Sequence, residues 1–257
     1  MKTVSEPALL AHLLASLPLG WQVQRLYLGH NWTLAVVQDG AGRQRAGLAS
    51  TPAAAEVAGQ ASFGYGDNLA PTGQAAQVAG LVQSLNPVEA AVGLATLNAL
   101  LEPDPALIRE IVPAEWLALH GRQRQVALVG RFPFIEELRP AAARLWVLEL
   151  HPQRGEYGAD QADEILPQAD IVVITASTLI NQTLEELLKL VRAEAIVMLL
   201  GPSTPLSPLL FEAGIDLLSG VQVVDLEAAL GSVIQGVIFR QMQGVRRVTM
   251  VNPQFLD

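Results

Sequence analysis

Cysteine is absent from the 257 residues. That excludes disulfides, thiolate metal sites, iron–sulfur clusters and cysteine nucleophiles. Positive charge is scarce as well: 16 Lys and Arg stand against 25 Asp and Glu, giving a formal net charge of −9. No basic run is longer than Arg246-Arg247, so the basic stripe that grips nucleic-acid phosphates is missing. The acidity reads as solubility rather than as the sign of a partner. No apolar run reaches the roughly 18 residues of a membrane span, and no long apolar signal core follows Met1-Lys2-Thr3. A cytoplasmic protein that meets neither membrane nor nucleic acid is expected.

Familiar catalytic signatures are missing too. Gly130 is followed by Arg-Phe-Pro-Phe-Ile, not by the G-x-G-x-x-G turn, which disfavours nicotinamide and flavin dinucleotides. There is no Walker A sequence and no G-x-S-x-G nucleophile elbow. The four histidines, His12, His30, His120 and His151, form no i, i+4 pair. With no Cys beside them they make a poor soft-metal cage, so no metal site built from the chain's own side chains is expected. Oxygen ligands from Glu149, Asp67 or Asp170 could hold a hard ion, but no spacing demands it.

What is present is core material: 51% hydrophobic and 16% charged residues, which argue against disorder. The two halves are written differently. A helix is expected from Ser5, as N-cap, to Leu17, followed by strands at Trp21–Leu28, Trp32–Gln38 and Gln44–Ala49, an antiparallel meander turning at Asp39-Gly40. After the loop Ala61-Ser-Phe-Gly-Tyr-Gly-Asp-Asn-Leu-Ala-Pro-Thr-Gly73 come helices over Gln74–Ser84 and Pro87–Leu101, the second capped by Asn86. This is an α+β layout over residues 1–115.

Past a boundary within Pro113–Arg124, short apolar strands at Gln125–Gly130, Leu145–Leu150, Ile171–Thr175, Ala195–Leu200 and Val221–Val224 alternate with helices. Those helices are expected at Phe134–Ala143, Ala159–Leu166, Leu179–Val191 and Ser207–Ala213. Strands apolar on both faces between helices specify a doubly wound, Rossmann-like α/β parallel sheet over residues 120–257.

Ligands of such sheets bind outside the carboxyl ends of the strands. Those ends carry Gly130 to Pro133, then Glu149, then Thr175 to Thr183, then Gly201 to Pro205. Hydroxyls and amides therefore converge at one edge. Ser177 or Thr178 could cap a helix starting near Leu179, and Ser203 and Thr204 could precede one near Pro205. Such termini suit an anion, although ordinary capping explains Ser177 and Thr178 alone. Asn181 and Thr183, expected inside the helix, are explained less well by capping.

The set Gly64-Tyr-Gly66, Asn98 within Ala95-Thr-Leu-Asn-Ala, Val129-Gly-Arg-Phe132, Ile174-Thr-Ala-Ser-Thr-Leu-Ile-Asn-Gln-Thr183 and Leu200-Gly-Pro-Ser203 resembles a prokaryotic family labelled for heavy-metal chelation. The resemblance spans nearly the whole chain. It implies an enolase N-terminal-like domain joined to a Rossmann-like domain, with a site in the cleft between them. Carried over residue by residue, it marks Asn98, Gly130, Phe132, Thr175, Thr178, Asn181, Thr183, Gly201, Pro202 and Ser203 as ligand contacts; the capping argument adds Ser177. Thr178, Asn181 and Ser203 are expected in one pocket, with Gly130 at its floor and Asn98 facing them. The leading expectation is a small anionic metabolite or a metal chelate held in that cleft. The alternative is an enzyme acting on such a ligand with Glu149 or Asp67 as acid or base. A purely structural interaction module is the third class, and self-association stays open.

Overall fold

The computed structural model describes residues 9–52, 68–69 and 73–255. The expected helix start at Ser5 and residues 61–67, with Asp67, lie outside them. Helix α1 (Leu9–Ala15) leads into strands β1 (Gln22–Leu28), β2 (Trp32–Gln38) and β3 (Gln44–Ser50), and β4 (Asn68–Leu69) pairs on the far side of β1. The order β3-β2-β1-β4 is antiparallel throughout. On β1 the buried positions are Val23, Leu26 and Leu28, and the irregular spacing reflects a register shift between Val23 and Arg25.

Helix α2 (Ala75–Ala79) runs into a 3₁₀ turn at Gly80–Gln83, and α3 (Pro87–Leu100) follows. Asn86 Oδ1 accepts from the N–H groups of Val88 (3.0 Å) and Glu89 (3.4 Å), with Pro87 opening the first turn, as the sequence requires. Most of α3 is buried all round, so it is a core helix rather than an amphipathic one. It lies so close to β3 that a Cβ on Gly47 would sit 2.2 Å from the Ala99 nitrogen. Only glycine fits there.

Strand β5 (Ile108–Arg109) and helix α4 (Pro113–His120) follow. The expected boundary region is thus largely a helix, with Pro113 in its first turn and Leu117 buried. Next come β6 (Gln125–Val129), α5 (Ile135–Leu138), β7 (Arg144–Glu149), β8 (Tyr157–Gly158), α6 (Ala162–Ile165) and β9 (Ile171–Thr175). Then α7 (Leu184–Leu190), β10 (Ile196–Leu200), α8 (Leu209–Glu212), β11 (Leu217–Val223), α9 (Leu226–Ile234) and β12 (Val245–Val251) complete the chain. Helix α5 is shorter than expected: it ends at Leu138, and Pro140 has no N–H with which to continue the helical ladder.

The large sheet has the order β5-β12-β11-β10-β9-β6-β7-β8. From β8 to β11 neighbouring strands are parallel, while β12 runs antiparallel to β11 and to β5. The expected purely parallel sheet therefore has an antiparallel edge. The chain leaves β6 toward β7 on one side and returns to β9 on the other, so the direction of winding reverses between β6 and β9.

The halves interlock. The face of the small sheet away from α3 presents Trp32, Leu34, Val36 and Leu48 to Leu230 and Val233 of α9. Trp32 Nε1 donates to the Val237 carbonyl (2.8 Å), and Asn31 Nδ2 to that of Gly236 (2.7 Å). A continuous apolar core runs from Leu13 and Trp21 through Leu94 to Val172, Ile174 and Leu199.

Candidate functional site

A pocket of about 470 Å³ lies outside the carboxyl ends of β6, β7 and β9. This is the point at which the winding reverses, where open α/β sheets leave a crevice. Gly130, Arg131, Glu149, Leu150, Thr175, Ser177, Thr178, Asn181 and Thr183 line it, joined by Glu186, Leu187 and Leu190 of α7. Gly130 has a φ of 106°, a conformation L side chains rarely adopt, and a Cβ there would meet Thr175 Cγ2 at 2.9 Å. Glycine thus keeps the crevice between β6 and β9 open to the backbone. The Gly130 N–H is itself taken by the Leu148 carbonyl (2.9 Å).

The hydroxyl-rich segment folds differently from the expected single helix. Thr175, not Ser177 or Thr178, is the cap: its side chain accepts from the Ser177 N–H (3.4 Å) at the start of a 3₁₀ turn over Ala176–Leu179. Thr178 is buried, and its hydroxyl proton is spent on the Thr175 carbonyl (2.7 Å). The chain then breaks at Gln182, whose φ is 59°, and α7 starts only at Leu184. Asn181 and Thr183 are therefore in a loop, not inside a helix. Asn181 Oδ1 accepts from both the Thr183 hydroxyl (2.7 Å) and its N–H (3.3 Å), which fixes the Asn181 side chain. Gln182 ties this loop to the first half, its Nε2 donating to the carbonyls of Ser84 (2.8 Å) and Gln83 (3.1 Å).

Two charges at the rim are already committed to each other. Arg131 donates Nε to Glu156 Oε1 (2.9 Å) and a terminal nitrogen to Oε2 (2.7 Å), a two-pronged pair. That guanidinium, aided by the Gln153 N–H (2.7 Å), holds the Glu156 carboxyl at about 2, below its ordinary 4.5. The Glu149 side chain, half-buried at the end of β7, makes no hydrogen bond or ion pair among the described residues, although the Arg131 charge lies near enough to act on it.

Not every expected contact comes to this pocket. Phe132 stacks on Phe134, with centroids 5.4 Å apart, beside the pocket rather than in its lining. Gly201, Pro202, Ser203 and Asn98 are not among its lining residues either. Ser203 is buried at a junction between the two sheets, its Oγ accepting from the Ser50 N–H (2.8 Å) and donating to Ser50 Oγ (3.1 Å). Asn98 Nδ2 bridges the carbonyls of Leu48 (2.9 Å) and Ser203 (3.0 Å). Both partners are acceptors, so the amide nitrogen must face them, and its oxygen is left buried without a partner among the described residues. The expected constellation is thus split: Gly130, Thr178 and Asn181 share the pocket, while Asn98 and Ser203 pair with each other elsewhere. Nor does a helix open at Pro205; α8 begins at Leu209, so Ser203 and Thr204 are not its caps.

Sequence reasoning placed Arg131 at a strand end without marking it as a contact, and missed Leu150, Glu186, Leu187 and Leu190. Leu150 directly follows the end of β7, so the rule that picked Glu149 could have found it. Leu187 and Leu190 stand at i, i+3 on α7, which places them on one face. Among the described residues, no group of three or more His, Cys, Asp or Glu is arranged to hold a metal ion, and no helix is long and apolar enough to cross a membrane.

Residues 114–252 match the DUF364 family model and residues 11–101 the DUF4213 model, both described as "Putative heavy-metal chelation". A DUF364-family protein of unknown function from Desulfitobacterium hafniense is 28% identical, with a TM-score of 0.78 over 95% of this chain and 97% of that one. A DUF364-family protein of unknown function from Pyrococcus horikoshii is 22% identical, with a TM-score of 0.79 over 95% and 100%. No curated protein matches the chain. A small antiparallel sheet joined to a larger, mostly parallel one is thus a shared architecture, and with more than half of its length matched, the chain belongs to the DUF364 family.

Proposed function

We propose that the protein binds a small organic metabolite, or a metal chelate of one, in the pocket outside β6, β7 and β9. The observation that carries this reading is the convergence of Gly130, Glu149, Ser177 and Asn181, from three separate loops, on one cavity at the reversal of winding. Its size falls in the range of ordinary metabolite pockets, about 300–1,000 Å³. Metal, in this reading, arrives as cargo inside an organic ligand. The family descriptions support a link to chelation, and the described side chains offer no cluster of donors for a bare heavy metal.

The lining also bears on the sign of the ligand. Glu149 and Glu186 face the pocket, and the cation there, Arg131, is engaged by Glu156. A ligand that donates hydrogen bonds suits this lining better than the anion anticipated from the loop hydroxyls alone. Ser177 Oγ and Asn181 Nδ2 remain for its acceptors.

The test is native mass spectrometry of the purified protein and of Asn181→Ala. A small molecule carried by the wild type and lost from a variant with unchanged melting temperature supports the reading. Retention in the variant, or loss only with unfolding, counts against it.

The unpartnered Glu149 carboxylate favours a second reading, in which it moves a proton on the bound ligand. Chemical conversion of the co-purified molecule by the wild type and not by Glu149→Gln would support it, and equal conversion by both would remove it. We further propose the division into an enolase N-terminal-like unit, residues 1–115, and a Rossmann-like unit, residues 120–257, supported by the two sheets, with β5 of the first stretch crossing over to pair with β12 of the large sheet. Limited proteolysis cutting first between residues 110 and 124 fits that division; a first cut within either sheet does not.

A further inference from the structure

The geometry points to a nucleoside-like ligand, one with a vicinal diol and a flat ring but no diphosphate, held at its diol by Glu149. This inference rests on the pocket reading above and narrows it.

The placement of Glu149 carries the argument. Gly130 directly follows β6, the first strand to enter the crevice, and Glu149 closes β7, the neighbouring parallel strand. Glu149 follows Gly130 by about 20 residues, the place where doubly wound sheets put the acidic residue that accepts from ribose hydroxyls. An ionised carboxylate has two acceptor oxygens and no donor, which matches two adjacent hydroxyls. Its acceptors are unclaimed among the described residues, because the cation near it, Arg131, is held by both oxygens of Glu156. The Arg131 charge still acts on Glu149 across space, but no hydrogen bond joins the two, so both carboxylate oxygens stay open to the diol.

The turn after β6 argues against a diphosphate. Its sequence is Gly130-Arg-Phe-Pro-Phe, in which Pro133 has no N–H to offer. The helix beyond it, α5, has four residues and no side-chain cap, and the turn carries the mutually stacked rings of Phe132 and Phe134 in place of small residues that would let a phosphate reach the backbone. A dinucleotide would find no seat for its centre, whereas a nucleoside needs none.

An apolar surface for a ring stands beside the carboxylate. Leu150 is 58% exposed although it directly follows Glu149, and it lines the pocket with Leu187 and Leu190 of α7 and Ala162 of α6. An exposed leucine next to a free acceptor pair is poor economy for a soluble surface, and it suits a flat ring carried on a polyol.

The experiment is isothermal titration calorimetry with the four common ribonucleosides, their 2′-deoxy counterparts, glycerol and NAD, on the wild type, Glu149→Gln and Leu187→Trp. Glu149 makes no hydrogen bond to the described residues, so its isosteric variant keeps the fold, and thermal melting verifies this. We expect at least one ribonucleoside to bind and its 2′-deoxy form to bind about tenfold or more weaker, since hydrogen bonds to a charged group are the strong ones. Glu149→Gln should erase that difference, and Leu187→Trp, which narrows the pocket, should abolish binding. NAD should bind no better than adenosine. Equal binding of ribo and 2′-deoxy forms, undiminished discrimination in Glu149→Gln, or binding of glycerol alone overturns the nucleoside assignment. If no nucleoside binds, the assignment falls, while the pocket reading is judged separately: a co-purified molecule displaced from Leu187→Trp leaves it standing, and one retained there removes both.

Discussion

The same residue types do opposite work in two places. In the loop after β9, Thr175, Ser177, Thr178, Asn181 and Thr183 surround an open pocket. At the junction of the two sheets, Ser50, Asn98 and Ser203 are joined by hydrogen bonds, and Asn98 and the buried Thr204 line only a smaller cavity of about 160 Å³. The difference lies in where the hydrogen bonds go. At the junction they cross from one half of the chain to the other, Asn98 to Ser203 and Ser50 to Ser203. Among the loop's hydroxyls and Asn181 they close locally, over two to five residues, with only Gln182 crossing to the first half, and they leave the Ser177 hydroxyl proton and Asn181 Nδ2 unspent. Small polar residues therefore signal either assembly or binding, and exposure decides between them.

That comparison can be broken most forcibly from the junction side. Gly47→Ala drives a Cβ into the backbone of α3, at 2.2 Å from the Ala99 nitrogen and 2.3 Å from the Ala95 carbonyl. The contact is with backbone, which has nowhere to go, so a loss of about 3 kcal/mol or more is expected by chemical denaturation. A loss under about 1 kcal/mol would mean that β3 and α3 are less closely packed than described.

Asn98→Ala should come next. It strips two carbonyls, those of Leu48 and Ser203, of their shared donor. The expected loss is about 1–3 kcal/mol, partly offset because the unpartnered Oδ1 goes too. Ligand carried by the pocket should be unchanged. Ser203→Ala, which removes one acceptor from the Ser50 N–H, should cost about 1 kcal/mol and likewise spare the ligand.

Asn181→Ala is the mirror image. The residue is exposed and bonds only to its near neighbours, so melting should shift by the equivalent of about 0.5 kcal/mol or less. Affinity for the pocket's ligand should fall about tenfold, the worth of one good hydrogen bond. A fall in stability with affinity intact would move Asn181 to the structural class.

The smallest effect is one of pH. Glu156 is depressed from 4.5 to about 2 in the folded protein, chiefly by its bond to Arg131. Its stabilising contribution is therefore complete above 4.5 and is lost as pH falls through about 2. Carbon-detected titration of the Glu156 carboxyl should give a midpoint near 2, and Arg131→Ala should return it toward 4.5. A midpoint near 4.5 in the wild type would show that Arg131 is free to approach Glu149.

How much of this was legible beforehand depends on which force shaped each element. The unbroken apolar runs at β6, β7, β9 and β10 announce buried parallel strands, and their ends point to Gly130, Glu149 and Thr175. Strand β12 does not announce itself, because Arg246 and Arg247 lie on its exposed part while Val248 to Val251 are buried. Of strand β11 only the second half shows in the expected strand Val221–Val224; the first half is masked by Ser219 and Gly220, and the Ser219 hydroxyl is buried but paired with Thr249 across the strands (3.0 Å). Helix α9 earns its place by covering the small sheet, a tertiary fact no local pattern encodes. The break at Gln182 is similar, since a left-handed glutamine is held there by carbonyls about a hundred residues upstream. Asn98 and Ser203 are expected as ligand contacts, and the structure instead joins them by a hydrogen bond. Only the packing of the two sheets reveals it.

The most direct measurement of the central distinction is a map of amide shifts. With ¹⁵N-labelled protein and the molecule identified by native mass spectrometry, the amides of Gly130, Glu149, Ser177 and Asn181 should move on titration, while those of Ser50, Asn98 and Ser203 stay in place. Shifts centred on Ser50, Asn98 and Ser203, with the loop after β9 unmoved, would contradict the account and return the site to the junction between the sheets.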